Sequence, residues 1–195
     1  MTSQRFKDTL AAIDAANSKD PRQVDVDGTK LPVELIYGQR MSEVLDEIAP
    51  DASEHLKIAV RAQHIERWTS PRQDYPEGKA SYLKWRSDLK DFHANRAGAL
   101  MEQAGYEEED IARVKTIVAK KGIKRDAEVQ LLEDAACIVF LKYYAAEFIA
   151  PHDDEKVISI LAKSARKMSQ DGISAASKLQ LDERVGRLLG AALNS

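Results

Sequence analysis

Three short stretches place side chains able to bind a metal or move a proton inside segments that otherwise read as apolar helix. They are Gln63-His64-Ile65-Glu66-Arg67-Trp68, Asp91-Phe92-His93 and Leu132-Glu133-Asp134-Ala135-Ala136. Neutral imidazoles and a carboxylate are nitrogen and oxygen ligands for a divalent cation such as Mn, Fe, Co, Ni, Zn or Mg, and they can equally orient water. Helical proteins build such sites from side chains that converge from separate helices. His64, His93 and Asp134 are therefore the expected metal ligands, with His64 and Glu66 as the proton-transfer pair. Asp134 lies between Leu131-Leu132 and Ala135-Ala136-Cys137, where an unpaired carboxylate would be costly. It needs a metal, several donors, or a buried ion pair with Arg40 or Arg86, and the last would make it structural.

Cations and aromatics fall beside the same stretches. Arg40, Arg67 and Arg86 have the forked geometry that suits phosphate or carboxylate, and Gln63, Trp68 and Trp85 complete the expected substrate-binding set. The plain alternative is that both tryptophans anchor the core and the lysines form a solvated face. If the helix holding His64 runs on to Trp68, Gln63 and Arg67 share one face and His64 and Trp68 the next. The expected ligand is small and anionic or phosphorylated.

The bulk composition limits the classes of function. The chain has 195 residues, 44% hydrophobic, with a formal net charge of −3, so nothing pulls it as a whole toward nucleic acid or anionic membranes. The dense basic run Lys120-Lys121-Gly122-Ile123-Lys124-Arg125 sits at a helix end, where positive charge is favourable without a partner. The single cysteine, Cys137, suits a reducing compartment and reads as a small buried hydrophobe. Met1 to Leu10 lacks the apolar run of a secretory signal, and the stretch Ala135 to Leu141 is too short to span a bilayer. The expectation is a cytoplasmic protein with no membrane partner.

The elements that must position these residues are almost all helical. Ser3 caps a first helix, and Val24 to Leu31 alternates around Asp27-Gly28, a hairpin signal. A second helix begins at Pro32 and ends before Pro50. A third is capped by Asp51 or Ser53 and reaches Trp68. The irregular segment from Ser70 to Gly78 follows, then helices over Lys79 to Ala104, Glu107 to Lys121 and Asp126 to Phe148. A helix opened by Asp153-Asp154-Glu155 and short terminal helices complete the chain. The composition shows no break, so residues 1–195 are expected to form one all-α domain with a small N-terminal hairpin, the C-terminal helices 151–195 packing on the rest.

Four segments carry a resemblance to the HD-domain superfamily of metal-dependent phosphohydrolases. Tyr37-Gly38-Gln39-Arg40-Met41 stands where that family has His-x-x-Arg-Val, and Ala59 to Ile65 stands at its His-Asp motif. His93 to Gly98 stands at a later helix often opened by His, and Glu133-Asp134-Ala135-Ala136 at Asp-Ala-Asp. The resemblance covers about 31–144 and implies an HD-like helical bundle. The activity it implies is that of a divergent phosphohydrolase on a small phosphorylated or nucleotide-like substrate. Tyr37 replaces the first histidine, and the His-Asp pair reads Gln63-His64 or His64-Ile65. These departures imply the alternative of a non-catalytic module that has lost the metal set and binds an anionic ligand or a partner protein. Over its full length the chain also resembles a family of bacterial and fungal proteins with no established activity. That match rests on Tyr37 to Met41, Gln63 to Trp68, Pro71-Arg72, Tyr75-Pro76, Tyr82 to Arg86, Leu132 to Asp134 and Lys167-Met168-Ser169.

Overall fold

A computed structural model describes residues 3–194 of the chain. The fold is all-α, and the strands among the described residues form one antiparallel hairpin. Two compact units are present, the first comprising residues as far as Glu43 together with Asp51–Lys121, the second Val44–Pro50 together with the residues from Gly122 onward.

The first unit begins with α1 (Gln4–Asn17), whose Ser3 cap accepts a hydrogen bond from the Phe6 N–H. Strands β1 (Gln23–Val26) and β2 (Thr29–Pro32) pair in the register Gln23 to Pro32 and Val26 to Thr29. Asp27 and Gly28 both take positive φ, as a two-residue turn matched to strand twist requires. Helix α2 (Val33–Ile48) follows directly, starting one residue after Pro32, which is the last residue of β2. Ser53 caps α3 (Glu54–Ala62), and α4 (Lys79–Gln103) and α5 (Glu108–Val118) complete the unit. Apolar side chains from each of these helices, among them Ile13, Met41, Ile58, Met101 and Ile117, are fully buried. Gly38 on α2 lets that helix approach α3 closely, since a Cβ there would lie 2.9 Å from the Arg61 carbonyl oxygen.

Two expected helices are shorter than their apolar pattern implied. Helix α3 stops at Ala62 instead of reaching Trp68, and two 3₁₀ turns, Arg67–Thr69 and Arg72–Asp74, follow it. The expected helix to Phe148 breaks at Tyr144, giving α6 (Ala127–Tyr143) and α7 (Ala145–Ile149). Consecutive tyrosines at 143 and 144 weaken helical propensity at that point.

In the second unit, α6 and α7 are joined by α8 (Asp154–Ala165), α9 (Gln170–Ala176) and α10 (Glu183–Leu193). Its core includes Leu45, Leu132, Ile138, Ile149, Leu161 and Leu188. Asp134 is 1% exposed and works as a clamp between α6 and α9. Its carboxylate accepts hydrogen bonds from the Ser169 N–H at 2.8 Å, the Ser169 hydroxyl at 2.5 Å and Gln130 Nε2 at 3.0 Å. The Ser169 oxygen in turn accepts from the Gly172 N–H, capping α9. Several donors thus satisfy the buried carboxylate. No helix among the described residues is long and apolar enough to cross a membrane.

Gly172 allows this clamp to close, because a Cβ there would lie 2.5 Å from Asp134 Cγ. Gly172→Ala is expected to destabilise the protein by about 1–3 kcal/mol through overpacking. Gly190→Ala on α10 has nothing within 4 Å of the new methyl group and is expected to be neutral or to stabilise by up to about 1 kcal/mol. Urea titration of the two variants checks the contrast.

Candidate functional site

The residues after α3 turn sharply instead of continuing the helix. The Ile65 N–H donates to the Ala62 carbonyl at 2.9 Å and the Arg67 N–H to the His64 carbonyl at 3.1 Å, both tight-turn contacts. Glu66 adopts a left-handed backbone, φ 51° and ψ 29°. Its N–H donates to Asn17 Oδ1 at 2.9 Å, and its carboxylate accepts from Arg96 Nε at 2.6 Å and Nη2 at 3.3 Å. Glu66 is thereby engaged in holding the turn. The shared-face spacing expected for a continuous helix does not apply to Gln63, His64, Arg67 and Trp68.

The turn brings His64 against α2. Its ring stacks on Tyr37 with centroids 4.1 Å apart and planes at 13°, and the Tyr37 hydroxyl donates to Gln63 Oε1 at 2.8 Å. Arg67 Nη1 lies 2.9 Å from His64 Nε2 and 3.3 Å from Nδ1, and Glu34 Oε2 lies 3.6 Å from Nδ1. Burial, followed by the positive field of Arg67, Lys120, Arg86 and Arg22, holds the His64 pKa well below its ordinary range. The ring is neutral at physiological pH.

Glu34 is the buried acid behind this ring. Its Oε1 accepts from Arg22 Nη2 at 2.7 Å, and its N–H donates to Asp20 Oδ2 at 3.1 Å. Arg22 closes a fork on Asp20 at 3.0 and 2.8 Å. Burial raises the Glu34 pKa, opposed by the Arg22 hydrogen bond and by the charges of Arg67 and Arg22.

His93, on α4, is 3% exposed and its ring centroid is 6.0 Å from that of His64. Its Nδ1 lies 2.8 Å from the Ile65 carbonyl oxygen. A carbonyl only accepts, so Nδ1 carries the proton and Nε2 presents a bare lone pair. That Nε2 is buried and has no hydrogen-bond partner. Burial, followed by the His64 ring, pushes the His93 pKa down to about 3.

The aromatic wall is Trp85, whose Nε1–H donates to the Ser70 carbonyl at 3.0 Å while the Arg67 guanidinium lies 5.4 Å from its ring centroid. Arg86 is exposed and donates to the Tyr82 hydroxyl at 3.2 Å. Arg40 is half-buried on α2, and Trp68 is half-buried in the 3₁₀ turn. The structure thus gathers Gln63, His64, Arg67, Trp85 and His93. Asp134 belongs to the second unit, where Ser169 and Gln130 occupy its carboxylate. Among the described residues no group of three or more His, Cys, Asp or Glu is arranged to hold a metal ion.

Sequence reasoning missed Asp20, Arg22 and Glu34, and treated Tyr37 only as a substituted histidine. Asp20-Pro21-Arg22 reads as a helix stop, and Glu34 as an ordinary first-turn acid. The one available signal was the pairing of acidic and basic residues on either side of the hairpin. The family model described as Domain of unknown function (DUF4202) matches residues 7–189. The chain belongs to the DUF4202 family. No curated protein and no solved structure matches it. The DUF4202 match takes in the whole cluster from Asp20 to His93 and also Asp134.

Both imidazoles of this DUF4202 protein titrate more readily unfolded than folded, the unfolded value being about 6.5. Between that value and the folded His93 value of about 3, the unfolded chain binds more protons. Stability is therefore complete above pH 6.5 and falls as pH drops below it. The expected loss from pH 6.5 to 5.5 is on the order of 1 kcal/mol per histidine. Urea titrations at the two pH values check this, and His93→Gln should flatten the dependence.

Proposed function

We propose that the first unit binds a small anionic ligand bearing a phosphate group, through Arg67 and the neutral imidazoles of His64 and His93. The observation that carries this reading is the charge balance around His64. Arg67 hydrogen-bonds a neutral ring rather than a carboxylate, and His64 feels four cations, Arg67, Lys120, Arg86 and Arg22. The nearby carboxylate of Glu34 is already bonded by Arg22, which also holds Asp20. A partly buried guanidinium with a neutral partner favours an incoming oxyanion, and its fork fits phosphate. This is the binding-module alternative that the departures from the HD pattern imply. The single cysteine fits a cytoplasmic setting for it.

The donor set as it stands suits a divalent metal poorly. The Arg67 guanidinium lies within 3.3 Å of both His64 ring nitrogens, and its charge would repel a second cation there. A second reading, a divergent HD-like phosphohydrolase on a phosphorylated or nucleotide-like substrate, is favoured by the His64–Glu34 pair. A neutral imidazole 3.6 Å from a carboxylate can take a proton from an attacking water once Arg67 turns from the ring to a bound phosphate.

Calorimetric titration with pyrophosphate and nucleoside monophosphates tests the binding reading. Arg67→Met is expected to weaken binding about tenfold or more, since a hydrogen bond from a charged group is lost. Undiminished affinity in Arg67→Met would remove the anion reading. Phosphate release from the same ligands, lost in His64→Ala, would select the hydrolytic one.

A further inference from the structure

We propose that the second unit holds a binding cleft of its own, which takes a small organic cation with an apolar body, an alkylammonium. The cleft has a volume of about 370 Å³, within the range of about 300–1,000 Å³ that small-molecule sites occupy. It lies between the end of α2, helix α6 and helix α9, and every residue lining it belongs to the second unit. Ile48, Leu131, Ile138 and Leu179 give it apolar walls that suit a hydrocarbon chain. The inference is independent of the anion reading of the first unit.

The charges around the cleft select the sign of the ligand. Glu47, Asp134 and Asp171 line it against a single cation, Lys178. Glu47 is answered by Lys142 at 3.0 Å. Asp134 has no such answer: its donors are the Ser169 N–H, the Ser169 hydroxyl and the Gln130 amide, all of them neutral. Neutral donors satisfy the oxygens and leave the charge whole, and a charge held in a buried wall is screened far less than one in water. Asp134 is 1% exposed, so it acts on the cleft through its field and not by touching the ligand. Asp171 is exposed at the mouth and makes no ion pair among the described residues, which leaves its carboxylate for the ammonium head.

Hexylammonium, hexanol and hexanoate near pH 7.5 are the matched probes, since they share one alkyl chain and differ in the charge of the head. Isothermal titration of the whole chain at fixed ionic strength is expected to show the cation bound about tenfold or more tightly than the alcohol, and hexanoate weakest. Asp134→Asn keeps the size of the side chain and is expected to bring the cation to within about threefold of the alcohol. Asp171→Asn, at an exposed position, gives the same comparison should Asp134→Asn fail to fold. Ala175→Trp fills the cleft and is expected to abolish binding of the cation and the alcohol alike. Equal affinities for the three probes overturn the selection by charge, as does undiminished preference for the cation in both Asn variants. Failure of all three to bind at millimolar concentration, or binding unchanged in Ala175→Trp, overturns the cleft as the site.

Discussion

The left-handed turn at Glu66 is the constraint on which the candidate site depends. A non-glycine residue in that region costs about 1–3 kcal/mol, and the chain offsets the cost from two directions. Asn17, at the end of α1, takes the Glu66 N–H, and Arg96, on α4, takes its carboxylate. With the turn fixed, the Ile65 carbonyl points at His93, the His64 ring stacks on Tyr37, and Arg67 lies between His64 and Trp85. A helix continued through these residues would have carried the same side chains to other places.

Charge placement follows from that geometry. Arg22 is committed to Asp20 and Glu34, so it neutralises the buried acid without spending its fork on a ligand. Arg67 has the opposite role: burial lowers its pKa, with Glu34 opposing, and its hydrogen-bond partner is uncharged. Both imidazoles are neutral for related reasons, the desolvation of a buried cation first and neighbouring charge second. The result is a group of polar side chains in which Arg22 and Arg67 stand beside Asp20 and Glu34, and the histidines act as neutral hydrogen-bonding groups.

Much of the fold was legible because its signals are local. Ser3, Ser53, Asp126 and Asp153 mark helix starts by side chains that cap the backbone, and Asp27-Gly28 marks the hairpin. The end of α3 was not legible, since the Ala59 to Trp68 pattern is compatible with helix and the force that breaks it comes from residues 17 and 96. For the same reason the sequence grouped His64 with His93 without revealing that a carbonyl fixes one ring and a tyrosine face covers the other. Asp134 was rightly marked as needing partners. Its partner serine lies 35 residues away, beyond the reach of periodicity. The boundary between the two units falls at Gly122 and within α2, and no change of composition marks either place.

The second unit takes its first piece, Val44–Pro50, from a helix that begins in the first unit. On the ribosome that piece emerges more than seventy residues before Gly122. Val44 and Leu45, fully buried in the finished protein, therefore wait without the helices of their own unit while the first unit is completed. A nascent chain at this stage presents an apolar helix end, the kind of surface that chaperones hold and that aggregates when they do not. Continuity of α2 through Glu43 and Val44 thus gives the second unit a core segment made early, so its core is not drawn from residues after Gly122 alone.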